Sequence, residues 1–150
     1  MQIIDLLACD RQAHWLREIG KSDWGAAQFL VRHVSAGTLR QQTGEHTKLL
    51  LLTDGDALAS FCTYADRDDI QPTDLTPWVG FVYTFPAYRG RRLMGRLFDE
   101  ARRLAKADGF HRLYLSTGHI GLYEKYGFVF QGILTDLDGQ PSRIYFLPTD

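Results

Sequence analysis

Phe85-Pro86-Ala87-Tyr88-Arg89-Gly90-Arg91-Arg92-Leu93-Met94-Gly95 joins a strand-like run to a helix-like one. Further along the chain stands Leu122-Tyr123-Glu124-Lys125-Tyr126-Gly127-Phe128. Trp78 to Phe85 is aromatic and β-branched, hence a strand, and Pro86 should end it. A turn bearing Gly90 and Gly95 that opens a helix presents free N–H groups beside the positive end of the helix dipole, a natural seat for a pyrophosphate. The glycines permit close backbone approach, and Arg89, Arg91 and Arg92 add charge that pairs with phosphate. A solvated helix start or a basic interaction tag is the competing reading of the same residues. The second stretch offers a phenol, Tyr123, on a short helix that Gly127 ends.

The flanking periodicities place these two stretches in a mixed α/β chain. Gln2 to Leu7 reads as an opening strand. Asp10 is positioned to cap a helix carrying Trp15, Leu16 and Ile19, which Gly20 would stop. A second helix is expected over Gly25 to Ser35, with Ala26, Ala27, Leu30, Val31 and Val34 at the spacing of a buried stripe. Lys48 to Leu52, an Asp54-Gly55-Asp56 turn and Ala57 to Tyr64 read as a hairpin. Asp66 to Thr76 is a polar loop. Arg91 to Asp108 carries one apolar face, with Asp99 four residues before Arg103 and Gly109 as its stop. Arg112 to Ser116 is a strand and His119 to Tyr126 a short helix. Strands near Phe128–Thr135 and Ser142–Leu147 close the order β-α-α-β-β-β-α-β-α-β-β.

Bulk properties exclude several classes. A chain of 150 residues with 45% hydrophobic and 23% charged residues has the make-up of one soluble globular domain over residues 1–150. A net charge of −1 predicts no strong overall attraction to nucleic acid or anionic membrane. The charge is nevertheless polarised. Seven of 17 Lys and Arg lie between Arg89 and Lys106, whereas Asp66, Asp68, Asp69 and Asp74 crowd one loop. Cys9 and Cys62 lack CxxC spacing, and the five histidines lack metal-ligand spacing, so no metal is expected. No P-loop, no GxGxxG after the first strand and no GxSxG elbow is present. The N-terminus lacks the form of a signal peptide, and no run nears the ~18 apolar residues of a membrane helix, so a cytoplasmic protein is expected.

Trp78–Phe128 resembles the core of the GCN5-related N-acetyltransferase (GNAT) superfamily. The family's cofactor motif, Arg/Gln-x-x-Gly-x-Gly/Ala after a strand ending in Pro, is matched by Phe85–Gly95. Its downstream Tyr-x-x-x-Gly-Phe is matched by Tyr123–Phe128. The element order extends the resemblance over essentially the whole chain. Arg92 stands where the family usually has the first motif glycine, Met94 where the second stands, and Gly95 is one place late; Arg92 is expected to adopt helical φ/ψ. Ser116 stands where many relatives have an Asn seven residues before the Tyr.

The resemblance implies a GNAT fold: a mostly antiparallel sheet of about six or seven strands, splayed between the fourth and fifth, flanked by about four helices. It implies acetyl transfer from acetyl-CoA to an amine. The pantetheine would lie along Val82, Tyr83 and Thr84. The pyrophosphate would sit on the amides of Arg89, Gly90, Arg91, Arg92, Leu93, Met94 and Gly95, with Ser116 and Tyr123 completing the cofactor site. A backbone N–H near Tyr83 would stabilise the oxyanion and Tyr123 would serve as acid. Alkylamines are protonated near pH 7, so a base is needed. The candidates are Asp68 and Asp69, which could instead attract a cation, and His119, placed one helical turn before Tyr123. Trp24, Trp78, Phe81 and Tyr83 are candidates to wall a pocket for a small, cationic amine. The expected partner is that amine, with no nucleic acid and no membrane, in a monomer or homodimer; no exposed apolar stripe is evident in the sequence. A non-catalytic acyl-CoA sensor and a basic-helix interaction domain are the alternatives from other classes.

Overall fold

Lys48-Leu49-Leu50-Leu51-Leu52 shows why the chain folds in layers. In the computed structural model, which describes all residues 1–150, this run lies in strand β2 (Lys48–Asp54), and all four leucines are buried. Strand side chains alternate between faces, so an unbroken apolar run means both faces are covered. Leu50 and Leu52 pack with Leu97, Phe98, Ala101 and Ala105 of helix α4 (Met94–Ala107). Leu49 and Leu51 pack with Trp15 and Ile19 of α1 (Gln12–Gly20), Ala27 and Leu30 of α2 (Gly25–Ala36), and Leu39 of α3 (Leu39–Thr43).

Between these layers runs a seven-stranded sheet in the order β1-β2-β3-β4-β5-β7-β6. The remaining strands are β1 (Gln2–Asp5), β3 (Ala57–Ala65), β4 (Trp78–Thr84), β5 (Arg112–Thr117), β6 (Val129–Thr135) and β7 (Pro141–Pro148). Every neighbouring pair is antiparallel except β4 and β5. Those two pair only at Trp78↔Tyr114 and Val79↔Leu115, then part, as the GNAT resemblance implies. The parting coincides with a β-bulge. β3 pairs Thr63 with Gly80 but Phe61 with Tyr83, so Phe81 and Val82 together face Cys62. Phe81 has φ +49, a conformation a phenylalanine seldom adopts outside such a bulge.

Several boundaries differ from the sequence reading for local reasons. β1 ends at Asp5 rather than Leu7, because the Asp5 carboxylate accepts the N–H groups of Leu7 (3.0 Å) and Leu49 (3.1 Å) and turns the chain into a 3₁₀ turn. Arg11, not Asp10, occupies the N-cap of α1, with no side-chain cap. The one-turn helix α3 is too short to carry a period and escapes sequence reading. α4 starts at Met94, three residues later than expected, because Gly90 (φ +79) and Arg92 (φ +54) both take left-handed backbone. Within α4, Arg103 pairs with Glu100 (3.0 Å) rather than Asp99. His119 to Tyr126 is not a helix. Only a 3₁₀ turn at Tyr123–Tyr126 forms, since Gly121 (φ +86) interrupts what precedes it. Finally, the edge strand β6 exposes Val129, Phe130, Ile133 and Leu134, an apolar band not evident from the sequence.

Candidate active site

Where β4 leaves β5, two cavities open on either side of its free edge. One has a volume of about 620 Å³ and runs from Val82, Tyr83 and Thr84 to Arg89, Gly90, Arg92, Leu93 and Met94. The other, of about 560 Å³, is walled by α2, the Asp66–Thr76 loop, the bulge and the start of the β5–β6 connection. Val82, His119 and Tyr123 line both, so the cavities meet at these three residues.

The basic end of the first groove is an anion seat made of backbone. The N–H groups of Gly90, Arg91, Arg92, Leu93 and Met94 donate to no backbone carbonyl, while the Gly95 N–H is taken by the Arg92 carbonyl at 3.1 Å. Successive amides in a turn that alternates left- and right-handed backbone converge on one point, which favours a phosphate. Gly95 therefore offers no free amide to the groove; its Cα faces the Tyr126 ring, 3.5 Å from where a Cβ would stand. Arg91 is not part of the groove wall either, and its guanidinium lies over the Tyr88 ring at 5.8 Å. Arg89 is anchored through Nε to the Thr84 carbonyl at 2.9 Å.

Arg92 sits at the turn position where glycine suits the backbone, and its φ of +54 contradicts the expected helical conformation. A left-handed non-glycine residue costs about 1–2 kcal/mol, of which glycine's extra unfolded-state entropy returns about 0.5–1 kcal/mol on substitution. Arg92→Gly is therefore expected to stabilise the fold by about 0.5–1 kcal/mol, read as a raised midpoint in urea unfolding. An unchanged or lowered midpoint would show that the side chain offsets the backbone strain.

Tyr83 contributes backbone to the groove while its ring turns to the opposite face, stacked on Trp24 at 5.4 Å and against Phe61 at 5.5 Å. Ser116 lies in the second cavity, not the first, its hydroxyl 2.6 Å from that of Ser142. Trp78 is no pocket wall. It is fully buried against Tyr114, Ile70 and Ile144, and its indole N–H donates to the Leu75 carbonyl at 2.7 Å. Trp24 and Phe81 do line the second cavity, joined by Phe29, which stacks on Phe81 at 5.5 Å.

Tyr123 is only 7% exposed, held among Phe98, Phe128 and Leu122 at the meeting point of the cavities. Burial, followed by the neighbouring Cys62 and Tyr126, pushes its phenol up to about 12, so it stays protonated through the physiological range. His119 is exposed, and its backbone N–H donates to the Thr117 hydroxyl at 3.1 Å. It borders both cavities from an irregular loop, not from the helix expected beneath Tyr123.

The acidic loop divides its carboxylates. Asp66 closes over Gly44 and accepts the His46 N–H at 3.0 Å, a structural clip, and Asp74 points outward. Asp68 and Asp69 line the second cavity. The loop is pinned there: Gln71 reaches the Asp68 carbonyl at 2.8 Å, the Leu137 N–H the Asp69 carbonyl at 2.9 Å, and the Arg67 N–H the Thr43 carbonyl at 2.8 Å. Burial raises both carboxyl groups above the usual carboxylate range. Asp69's charge adds to the rise at Asp68, and Asp136 adds to it at Asp69, opposed in part by the Ser116 hydroxyl. With Asp138 the cavity wall holds three carboxyl groups and no lysine or arginine. No group of three or more His, Cys, Asp or Glu converges to hold a metal ion, and no helix is long and apolar enough to cross a membrane.

Residues 9–128 match the profile of the acetyltransferase (GNAT) family. Among solved structures the chain is similar to a GNAT-family protein from Desulfovibrio desulfuricans, 20% identical over 99% of each chain with a TM-score of 0.69. It is also similar to an aminoglycoside 6′-N-acetyltransferase complexed with coenzyme A, 13% identical over 100% of this chain and 98% of that one, TM-score 0.67. A third is an acetyl transferase from Salmonella typhimurium that modifies the N-terminal serine of ribosomal protein L7/L12, 13% identical over 99% and 94%, TM-score 0.65. No curated protein matches the sequence.

Proposed function

Since the chain belongs to the acetyltransferase (GNAT) family, we propose that residues 1–150 act as one acetyl-CoA-dependent N-acetyltransferase domain that modifies a primary amine of a small molecule or peptide. The observation that carries this reading is the meeting of two cavities at Val82, His119 and Tyr123, one ending in the unengaged amides of Gly90, Arg92, Leu93 and Met94 and the other in carboxylates. A pyrophosphate fits the Gly90–Met94 amides, with Arg89 and Arg92 at hand for charge pairing. The open edge of β4 at Val82, Tyr83 and Thr84 offers backbone groups for an extended pantetheine to pair with, as an added strand would.

Bound acetyl-CoA supplies a thioester carbonyl for direct attack by the amine, with the CoA thiol leaving. The protein's part is to hold both partners in line across the shared wall, to aim donors at developing charge, and to manage protons. The bulge leaves one residue of β4 without a partner on β3, so we place the oxyanion donor at the Phe81–Val82 backbone, close to the position expected at Tyr83. Tyr123 faces the leaving sulfur as donor. Asp69 and His119 are the groups within the acceptor side that can take up the amine's proton.

The acceptor proposed is cationic. Three carboxyl groups, an aromatic wall of Trp24, Phe29 and Phe81, and the absence of lysine and arginine favour an ammonium group. That an aminoglycoside N-acetyltransferase shares the fold is consistent with this class. We place the protein in the cytoplasm, as a monomer or homodimer.

Calorimetry with acetyl-CoA, followed by thiol release over a panel of amines, tests the proposal. Saturable binding and faster release with polyamines than with neutral or anionic acceptors is the expected result. No binding of acetyl-CoA would sink the reading, and binding without release for any acceptor would favour a sensor.

A further inference from the structure

Gly80 stands in the middle of a strand otherwise built of aromatic and β-branched residues. The reason is the Asp68 carboxyl group, which occupies the space where a Cβ at position 80 would stand. Asp68 is thus pressed onto the β4 backbone at the splay, one residue before the bulge. Asp69 follows it directly, its carboxyl group adjoining that of Asp68, and its Oδ1 is buried without a hydrogen-bond partner. Two adjoining, half-buried carboxyl groups resist ionising together at neutral pH unless a cation answers them. None is present on the surrounding elements. α2, α3 and β4 contribute no charge to the cavity, the β6–β7 turn brings Asp136 and Asp138, and the β5–β6 connection brings His119 and Tyr123.

We propose that Asp68 and Asp69 work as a carboxyl dyad that shares one proton and, in its doubly ionised form, takes the proton from the acceptor ammonium. This deepens the transferase reading and rests on it. In the step, an N–H bond of R–NH₃⁺ breaks and its electron pair remains on nitrogen as the attacking lone pair. The proton forms an O–H bond on Asp69 and is shared with Asp68, so the dyad passes from two negative charges to one. Loss of that proton to water resets it. Asp69 is the catalytic member, and Asp68 is a positioning residue that acts through it. Burial raises both groups, in the direction such a poised base needs.

The folded chain holds this proton more tightly than the unfolded chain does. The dyad therefore favours folding below the ordinary carboxylate range, and that contribution is lost as pH rises through its upper step. Asp68→Asn should remove most of that loss.

The test is a carbon-13 NMR titration of the whole chain labelled at aspartate carboxyls, which needs no acceptor. Asp68 and Asp69 are expected to titrate together in two steps, both above the ordinary carboxylate value and the upper one near neutrality. In Asp68→Asn the upper step should vanish, and the rising limb of kcat/KM should move to lower pH. Gly80→Ala, which displaces the Asp68 carboxyl without removing it, should abolish the same step should Asp68→Asn not fold. Asp69→Asn should lower kcat by about 10²-fold or more with acetyl-CoA binding intact. Two ordinary, independent carboxylate titrations would overturn the dyad while leaving the transferase reading standing. Loss of acetyl-CoA binding by the wild-type chain would overturn the transferase reading whatever the titration shows.

Discussion

Tyr123→Phe is expected to slow thiol release by about 10²–10³-fold while leaving acetyl-CoA binding unchanged. The phenol lies where the two cavities meet, and its ring is gripped by Phe98 and Phe128 at 6.0 Å each, a setting that accepts phenylalanine without rearrangement. With its pKa pushed up to about 12, Tyr123 is a weaker acid than a thiol, whose ordinary value is ≈8.5. Complete proton transfer to a thiolate would then run uphill by on the order of 5 kcal/mol. In the proposed reaction the hydroxyl would instead donate a hydrogen bond to the sulfur as negative charge grows, a service that needs no ionisation. Two measurable consequences separate this from simple packing. The variant should lose kcat rather than gain KM, and no limb of the pH profile should disappear with the hydroxyl. A rate equal to that of the wild type would remove Tyr123 from the chemistry.

The legibility of this molecule in its sequence followed how local each cause is. The β2–β3 hairpin, the stripes of α2 and α4 and the strand ending before Pro86 rest on residues close in sequence, and they stand where periodicity placed them. The anion turn was readable too, except for its detail. Whether Arg92 would take the left-handed conformation of the glycine it replaces depends on the strand and helix that clamp the turn. The acceptor cavity was legible only in part. Asp68, Asp69 and Phe81 were visible as candidates, but Phe29, Thr43 and Leu137 reach the cavity from elements far apart in sequence. The sequence does carry one signal for this contact: an isolated glycine inside a strand pattern, Gly80, marks a bulge or a close approach, and here it marks both. Trp78 differs for the opposite reason, since a large aromatic beside a site is as readily core as wall, and what distinguishes them is its complete burial against Tyr114, Ile70 and Ile144.

Phe98→Ala is expected to cost about 3–5 kcal/mol of stability and to lower turnover as well, because this side chain couples the core to Tyr123. Phe98 is 1% exposed on the inner face of α4. Its ring meets Tyr126 at 5.2 Å and Phe128 at 5.2 Å, both edge-on, and Tyr123 at 6.0 Å. These three belong to the Tyr123–Phe128 segment, which has only a single 3₁₀ turn of its own. Such a turn is held in place by what it packs on, since it supplies few internal hydrogen bonds. Truncation opens a cavity under that turn, and the Tyr123 ring has room to fall into it, away from the shared wall of the two cavities. A domain of this size has a total stability of about 5–15 kcal/mol, so the variant should remain folded at low temperature with a sharply lowered urea midpoint. Phe98→Leu refills most of the volume and is expected to recover most of both properties, at a residual cost of about 1–2 kcal/mol. The pair of variants separates two possibilities. If Phe98→Ala loses stability but keeps the wild-type kcat, the Tyr123 turn is fixed by something other than this aromatic cluster. If kcat falls in step with stability and returns with leucine, the position of Tyr123 is a property of the α4 core rather than of the loop that carries it.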